Sequence, residues 1–261
     1  MKLTDAKSWM PLALAGMFLL ASCGTKRQIG SRYAMTDATG GMVAMDSTWD
    51  ARPDARAVAL LLPYKQKVES TMGEVIGVSA MKMDKNAPES LLSNLVAEVL
   101  RNAARKAVGQ PADVGIVNFG GLRNILPAGD ITVDDIYEIL PFENSLCVLT
   151  MKGKALREVM EDIAAQRGQG LSGARLEIGK DGRLLSATVQ GQPIDDEREY
   201  TVGTIDYLAE GNDGLPALTQ AEKRVCPEGM TLRGLFMDYV REQTAKGEQI
   251  TSALDGRITI K

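Results

Sequence analysis

Apolar residues recur at helical spacing in three stretches of the chain. Between residues 92 and 103 they stand at relative positions 0, 3, 4, 7, 8 and 11, and residues 156–164 and 232–240 repeat the first five of these positions. This spacing places one apolar stripe along a helix that packs on a core. We therefore predict three amphipathic helices. A fourth helix is predicted over Ala57–Met72, broken or kinked near Pro63 because proline removes a backbone donor.

Short apolar or alternating runs between these stretches predict β-strands. Two of the runs flank Lys180–Arg183, where Asp-Gly is typical of the tight turn of a hairpin. Helices mixed with strands and at least one antiparallel hairpin predict an α+β fold. We expect a single domain in which helices pack on the faces of mixed sheets, in helix–sheet–sheet–helix layers. The predicted strands are Glu74–Met83, Val114–Val117, Ser145–Met151, Arg175–Ile178, Leu184–Val189, Glu199–Ile205 and Arg257–Ile260.

The N-terminus has the pattern of a secretory signal. Two lysines precede the apolar stretch Trp9–Leu20, which is too short to span a bilayer as a helix. The following Ala21-Ser22-Cys23 completes a sequence that resembles a bacterial lipobox. Residues 1–22 are therefore predicted to be a lipoprotein signal peptide, and Cys23 is predicted to carry the lipid that anchors the chain in a membrane. Plain secretion with cleavage near Cys23 is the alternative.

Residues 23–50 are predicted to be a flexible tether and residues 51–261 the folded domain. Gly, Thr, Ser, Asp and Met dominate the tether, which shows no apolar period. The expected product is an exported lipoprotein on the periplasmic or cell-surface face of a bacterial membrane. Export permits a disulfide between Cys147 and Cys226, but Cys147 lies in a predicted strand, and a buried free thiol is favoured slightly over the disulfide.

Bulk composition narrows the function classes. The 261 residues, 44% hydrophobic and 25% charged, suffice for one sizeable core. A formal net charge of -4 argues against nucleic acid as a partner, because nonspecific binding depends on clustered Lys and Arg. The chain contains no histidine, the usual nitrogen ligand of catalytic metals.

Three separated segments carry most of the candidate chemistry, namely Asn118–Arg123, Leu140–Asn144 and Asp206–Gly214. Each follows or ends an apolar run, so each is predicted to be a loop at the end of a strand or helix. In the first segment, glycines let the backbone approach a ligand closely, and Arg123 can donate two parallel hydrogen bonds to a phosphate or carboxylate. Taken alone, this segment also fits a strand-to-loop turn with a surface arginine.

The other two segments each contribute one aromatic ring, Phe142 and Tyr207. Two facing rings form a slot for a flat base, and stacking contributes about 1–3 kcal/mol per base. Asp213, in the glycine-rich end of the third segment, can accept hydrogen bonds from ribose hydroxyls, as acidic residues do in dinucleotide sites. Core packing of both rings and a turn role for Asp213 are the alternatives.

The order and spacing of these segments resemble the C-terminal domain of the 5′-nucleotidase family. That family typically shows Asn-Gly-Gly-Gly-x-Arg, Pro-Ala-Gly-Asp-Ile-Thr, Leu-Pro-Phe-x-Asn and an aromatic-Leu-Ala-x-Gly-Gly-Asp-Gly segment. The resemblance covers roughly Ala57–Lys261. The matching segments are Asn118–Arg123, Pro127–Thr132, Leu140–Asn144 and Tyr207–Gly214.

The resemblance implies that this domain binds a nucleoside or nucleotide. It implies that Phe142 and Tyr207 sandwich the base and that Asp213 binds the ribose; a tyrosine in place of the family's usual phenylalanine keeps the flat face. The substrate-binding residues that it predicts are Asn118, Gly120, Gly121, Arg123, Phe142, Asn144, Gly173, Tyr207 and Asp213.

Near the ribose and phosphate the resemblance places Asn118, Arg123 and Gly173, and there the chain departs from the family pattern. Phe119 stands where the family has glycine. Pro88 stands where the family has an arginine, so one phosphate-contacting cation is missing unless a nearby lysine replaces it. These changes affect phosphate binding more than base binding.

In that family a separate N-terminal domain performs the hydrolysis with two metal ions held largely by histidines and carboxylates. Paired metals activate water and stabilise the charge on the transferring phosphoryl group. Without histidine, we expect no catalytic residue and no metal or other cofactor in this chain, with divalent metals only in a partner metallophosphoesterase chain. The acidic runs Asp134-Asp135 and Asp195–Glu197 are interpreted as helix-start or turn charges.

Three functions remain open from the sequence. The first is the substrate-binding half of a split 5′-nucleotidase, which acts in nucleotide catabolism. The second is a lipoprotein that binds nucleosides or nucleotides without catalysis. The third is a scaffold whose pocket has decayed.

Overall fold

Residues 39–48, 51 and 53–261 are described by the computed structural model of the protein. The predicted signal peptide, residues 1–22, and Cys23 lie outside these residues. Residues 39–48 are exposed and contain no helix or strand, and residues Ala55–Lys261 form one unit. Within the described residues, no helix combines the length and apolar character that crossing a bilayer would need.

All four predicted helices are present, and two short ones join them. The first helix continues through Pro63, so the predicted break at this proline is wrong. The predicted helix-start role of Asp134 and Asp135 is confirmed, since both lie in the first turn of a short helix. In the described part of the chain the helices are α1 (Ala55–Met72), α2 (Leu91–Val108), α3 (Val133–Ile139), α4 (Gly153–Ala165), α5 (Asp206–Ala209) and α6 (Leu232–Ala245).

Helix α2 shows how local sequence and core burial agree. Ser90 caps its first turn, because the Ser90 hydroxyl accepts from the Ser93 backbone N–H and the Ser93 hydroxyl accepts from the Ser90 backbone N–H. A left-handed Gly109 ends the helix. All six apolar positions of the predicted stripe are buried, and they pack on the largest sheet of the domain.

The predicted strands are confirmed with small shifts at their ends, except that the first strand stops earlier than predicted. Its alternation runs to Met83 in the sequence, but the strand ends at Ser79, and Met83 makes only an isolated bridge to Leu126. The strands of the described residues are β1 (Val75–Ser79), β2 (Val114–Val117), β3 (Gly129–Thr132), β4 (Leu146–Lys152), β5 (Gly170–Ser172), β6 (Ala174–Ile178), β7 (Leu184–Val189), β8 (Gln192–Pro193), β9 (Glu199–Ile205), β10 (Lys223–Val225) and β11 (Ile258–Ile260).

The strands form three sheets, of which two are mixed. The central sheet has the order β10-β4-β9-β2-β5, the second sheet the order β11-β6-β7-β8, and β1 pairs with β3. Helix α2 packs on the central sheet, while α4 contacts strands of both larger sheets. The predicted hairpin is β6–β7, and its turn contains Gly182 at a φ of 85°. The α+β class with helices packed on mixed sheets is therefore confirmed.

The register of the central sheet brings several chain segments to one edge. Strands β2 and β9 run parallel, so both end at this edge, at Val117 and Ile205. Strands β4 and β5 run antiparallel to their neighbours, with Leu146 opposite Ile205 and Gly170 opposite Val117, so both begin there. The segments that follow β2 and β9 and those that precede β4 and β5 therefore meet at one place.

A disulfide joins Cys147 of β4 to Cys226, the residue after β10. The slight preference for a buried free thiol at Cys147 was therefore wrong. The reason lies in the register of β4 and β10, which pairs Val148 with Val225 and so places the next residues of the two strands, the two cysteines, opposite each other. This cross-link ties the end of the edge strand β10 to its neighbour β4 within the central sheet.

A buried arginine at the start of α6 holds the segment between α3 and β4. Arg233 is 5% exposed, and its Nη1 donates to the Leu140 carbonyl at 3.0 Å. Its Nη2 forms an ion pair with Glu143, and its guanidinium lies 4.1 Å from the centroid of the Tyr137 ring. The next contact along this segment is the Leu232 backbone N–H, which donates to the Asn144 carbonyl at 2.8 Å. These contacts tie Leu140–Asn144 to a helix.

Removal of the disulfide will destabilise the domain. Cys147 and Cys226 are 79 residues apart, and closing a loop of this size removes entropy from the unfolded chain, so the double variant Cys147→Ala/Cys226→Ala is expected to lose about 2–4 kcal/mol of unfolding free energy. Urea titration of both proteins, with and without a reductant, measures this. Reductant must destabilise the wild type and leave the double variant unchanged. Equal unfolding midpoints for the oxidised wild type and the variant would contradict the prediction.

Replacement of Arg233 will loosen the segment that carries Phe142. Arg233→Met keeps an apolar stem but leaves the buried Leu140 carbonyl without its donor, which costs about 1–3 kcal/mol of unfolding free energy. Arg241→Met is the matched control, since Arg241 lies on the same helix but pairs with Glu74 at the surface, where an ion pair contributes about 0–1 kcal/mol. Urea titration and amide exchange over residues 140–144 compare the two. Equal unfolding free energies and equal amide exchange for the two variants would show that Arg233 does not anchor this segment.

Candidate functional site

A cavity of about 350 Å³ opens among the three segments singled out in the sequence. The segments follow β2, precede β4 and follow β9, so they reach it from the shared edge of the central sheet. The cavity contains eight of the nine predicted site residues. Its lining residues are Asn118, Gly120, Gly121, Arg123, Phe142, Asn144, Tyr207 and Asp213.

Both aromatic side chains of the cavity are accessible. Phe142 is 48% exposed and Tyr207 is 44% exposed. Core packing, the alternative left open by the sequence, is thereby excluded for both rings. The Arg123 guanidinium lies 5.9 Å from the centroid of the Phe142 ring, within the range of a cation–π contact. The rings belong to two separate chain segments and line the same cavity.

A hydrogen bond between side chains joins the first segment to the third. Asn118 Nδ2 donates to Asp213 Oδ2 at 2.6 Å, and Asn118 is only 5% exposed. The Asn118 Oδ1 atom is buried without a hydrogen-bond partner among the described residues. A Cβ on Gly121 would lie 2.7 Å from this oxygen, so glycine is required beside the amide. Asp213 itself has a left-handed backbone, with a φ of 54°, which aspartate tolerates better than most residues.

The cavity has one cation and one carboxylate in its lining. The exposed Arg123 donates from Nη1 to the Gly120 carbonyl at 3.3 Å. Lys85, the lysine nearest in sequence to Pro88, donates instead to the Leu122 carbonyl, and it does not belong to the lining. No residue of the lining therefore replaces the cation that the family has at the position of Pro88.

Gly173 does not lie with the other predicted residues. A Cβ on Gly173 would meet the Asp113 carbonyl at 2.1 Å, and Gly173 has a φ of 76°, so its glycine is explained by close backbone packing. Asp113 precedes β2 and Asn118 follows it, which separates them by about 16 Å of extended chain. Gly173 lines a different groove, together with Arg175 and other residues. The expectation that it contacts the same ligand as Asn118 is not supported.

The departures from the family pattern have local structural roles. The Phe119 backbone lies in a short 3₁₀ turn, and its N–H donates to Gln169 Oε1 at 2.8 Å. Phe119 is not part of the cavity lining. Asn212 stands where the family pattern has the second glycine before the aspartate, and its Nδ2 donates to the Tyr207 carbonyl at 2.9 Å, which closes the third segment on itself. Neither substitution places a side chain across the cavity.

Sequence motifs did not reveal the residues that support the cavity from behind. Arg233 holds the Phe142 segment, and Gln169 is buried against the first segment. Asp162 Oδ2 accepts from the Ala217 backbone N–H at 3.1 Å and so fastens the chain after the third segment; burial raises the pKa of this carboxyl. Topology could have found Gln169, because it immediately precedes β5 at the shared sheet edge.

Among residues 39–48, 51 and 53–261, no three or more acidic, cysteine or histidine side chains are grouped to hold a metal ion. Asp196, from the second acidic run, is paired with Arg157 at 2.7 Å. The residues of the cavity are thus suited to stacking, hydrogen bonding and a single ionic contact.

Comparison with known proteins places this geometry in a family. The family described as "5'-nucleotidase, C-terminal domain" matches residues 70–220. A 5′-nucleotidase precursor from Thermus thermophilus has a similar structure, with a TM-score of 0.68 and 30% identity, over 78% of this chain and 43% of that one.

Curated relatives match at similar identity. Protein UshA of Yersinia enterocolitica is 28% identical over 177 residues, which are 66% of this chain and 32% of the relative. NAD 5′-nucleotidase of Haemophilus influenzae is 31% identical over 195 residues, 62% of this chain and 31% of the relative. The chain thus spans about a third of the length of these relatives. Its cavity-lining segments and the family match together show that the chain belongs to the 5′-nucleotidase C-terminal domain family.

Proposed function

We propose that the chain binds a nucleoside or nucleotide and is the substrate-binding half of a split 5′-nucleotidase. One observation carries this proposal: two half-exposed rings from separate segments, Phe142 and Tyr207, line the same cavity as Arg123 and Asp213. A cavity of about 350 Å³ is within the range of small-ligand sites.

The groups of the cavity match the three parts of a nucleotide. Phe142 and Tyr207 offer apolar faces to the base, which suits any base because all have a flat face. The Asp213 carboxylate accepts hydrogen bonds from ribose hydroxyls. Arg123 pairs with a phosphate. With only this one cation in the lining, a nucleoside or a monophosphate fits the charge of the cavity better than a polyphosphate does.

Bond cleavage is assigned to another polypeptide. The sequence has no histidine, so a metal pair held by imidazoles has to come from elsewhere. The curated relatives are about three times as long as the part that they share with this chain, which leaves room for a catalytic domain that this chain does not match. We therefore propose a separate metallophosphoesterase chain as partner, and we assign the divalent metals to that partner.

The proposed location is the periplasmic or cell-surface face of a bacterial membrane, reached by export and held by lipid on Cys23. The Cys147–Cys226 disulfide supports export, since disulfides persist mainly in oxidising compartments.

Ligand binding without catalysis is the second candidate function. The pairing of Lys85 with a backbone carbonyl favours it, because the cavity is left with the single cation Arg123 to hold a phosphate. A decayed pocket, the third alternative, predicts no affinity for nucleosides.

Removal of the Phe142 ring will weaken base binding. Calorimetry of the purified chain with adenosine should show a dissociation constant about 10–100-fold higher for Phe142→Ala than for the wild type, since one stacked ring contributes about 1–3 kcal/mol. Phe142→Tyr should bind nearly as the wild type does, because it keeps the flat face. Tyr64→Ala, which removes an exposed ring of α1 outside the cavity, is the matched control. Equal affinities of the wild type and Phe142→Ala would refute the stacking model.

Phosphate release will require a second chain. The purified protein with Mn²⁺ or Zn²⁺ should release no phosphate from AMP. It should restore release when mixed with a histidine-bearing metallophosphoesterase chain from the same organism that is inactive alone. The Phe142→Ala variant should restore less, because it presents AMP poorly. Unaided release by the wild type would end the split-enzyme proposal, and adenosine binding without any gain on mixing would favour the second candidate.

A further inference from the structure

Two glutamine side chains form a relay behind the cavity, between the segments that follow β2 and β9. Gln169 Oε1 accepts from the Phe119 backbone N–H at 2.8 Å, and Gln169 Nε2 donates to Gln166 Oε1 at 2.8 Å. Gln166 Nε2 donates in turn to the Gly214 carbonyl at 2.8 Å. Gln169 is 5% exposed, so the two hydrogen bonds that it makes are largely shielded from solvent, whereas the hydrogen bond from Gln166 to Gly214 lies at the surface.

The relay closes a ring with the two polar residues of the cavity. Phe119 follows Asn118 and Gly214 follows Asp213 in the chain, and Asn118 Nδ2 donates to Asp213 Oδ2 at 2.6 Å. Because a backbone N–H only donates and a carbonyl only accepts, the ends of the relay determine the orientation of both glutamine amides. Each donor in the ring faces an acceptor.

The backbone between the glutamines is shaped to bring their amides together. Arg167 and Gly168 have φ values of 63° and 123°, which turn the chain sharply between the end of α4 and the start of β5. A Cβ on Gly168 would meet the Pro88 carbonyl at 2.4 Å, so the turn is packed closely against the segment before α2. A left-handed arginine is unfavourable by itself and is held here by its surroundings.

The orientation of the Asn118 amide also needs support from its neighbours. Its Oδ1 is buried and has no hydrogen-bond partner among the described residues, which is energetically unfavourable for the folded state. Turning the amide over would set its oxygen against the Asp213 carboxylate. The amide therefore stays in place only while the Asn118 and Asp213 segments keep their separation.

We infer that Gln166 and Gln169 are positioning residues, which hold the Asn118 and Asp213 segments at ligand-binding separation before a ligand arrives. The inference takes its ligand from the proposed function, but the ring of hydrogen bonds is present in the protein without a ligand. Preorganisation of this kind raises affinity, because less ordering remains to be done on binding. The linked hydrogen bonds also couple the two segments to each other.

Gln169→Glu tests the ring by changing one donor. At pH 7.5 the glutamate still accepts from Phe119 but faces Gln166 Oε1 with an oxygen, and turning the Gln166 amide over only moves the conflict to the Gly214 carbonyl. Adenosine binding measured by calorimetry should weaken about tenfold. Below about pH 5 the protonated glutamate donates again, so the ratio of variant to wild-type dissociation constants should fall towards one.

Gln192→Glu is the matched control for charge, since exposed Gln192 on β8 receives the same change without touching the ring. It should bind as the wild type does at every pH. Wild-type affinity of Gln169→Glu at pH 7.5, or a loss that acid does not reverse in the folded variant, would overturn the inference.

A second variant keeps the test independent of ligand and of the folding of Gln169→Glu. Gln166 is partly exposed at the end of α4, so Gln166→Ala is expected to fold. Its amide exchange without ligand should rise about tenfold at Phe119, a residue that the Gln166 side chain reaches only through Gln169. Unchanged exchange at Phe119 would also overturn the inference. If the wild type binds no adenosine but exchange at Phe119 still rises in Gln166→Ala, the proposed function is wrong and the inference about the ring stands.

Discussion

The mixed register of the central sheet is the constraint on which the cavity depends. Parallel β2 and β9 end at the same edge at which antiparallel β4 and β5 begin. The residues directly outside those strand ends are Asn118, Asp206, Ser145 and Gln169. Segments that are far apart in the sequence therefore meet at this edge of the sheet. These strands are buried on both faces along most of their length, so a shift of one residue in any of these pairings would exchange the side chains that pack on the two faces of the sheet. Core burial therefore sets the position of the cavity residues.

Buried polar contacts complete what the sheet begins. The rings of Phe142 and Tyr207 are not held by core packing, because about half of each residue is exposed. Their segments are instead held from behind by their backbones, through Arg233 on the Leu140 carbonyl and Gln166 on the Gly214 carbonyl. Loss of the buried Arg233 donor costs more than loss of a surface contact, whereas the hydrogen bond from Gln166 to Gly214 is itself exposed. The exposed binding surface is thus supported by side chains that never reach it.

Periodicity and family resemblance predicted different parts of this arrangement. The helical stripes predicted α2, α4 and α6 because burial of one face repeats along a helix, and the resemblance grouped eight cavity residues. Neither could predict the disulfide, the glutamine relay or the role of Arg233. A cross-strand cysteine pair depends on the register of β4 with β10, which a three-residue strand hardly signals. Gly173 lies outside the lining of this cavity, and its binding role stays a prediction, because a motif glycine indicates a tight backbone without indicating whether a ligand or, as with Asp113 here, another backbone segment lies against it.

The exposure of the cavity bears on the proposed division of labour. An enzyme that hydrolyses phosphate esters by itself has to enclose the reacting phosphate with its metals, whereas a recognition domain has to leave it accessible. Here the buried Asn118 is hydrogen-bonded to the exposed Asp213, and the half-exposed rings and Arg123 lie on the open side. A nucleotide held by its base and ribose against this surface would direct its phosphate towards Arg123 and solvent. In so open a cavity, Arg123 alone would bind a phosphate weakly. The same openness would let a metal-bearing chain approach and supply the remaining positive charge.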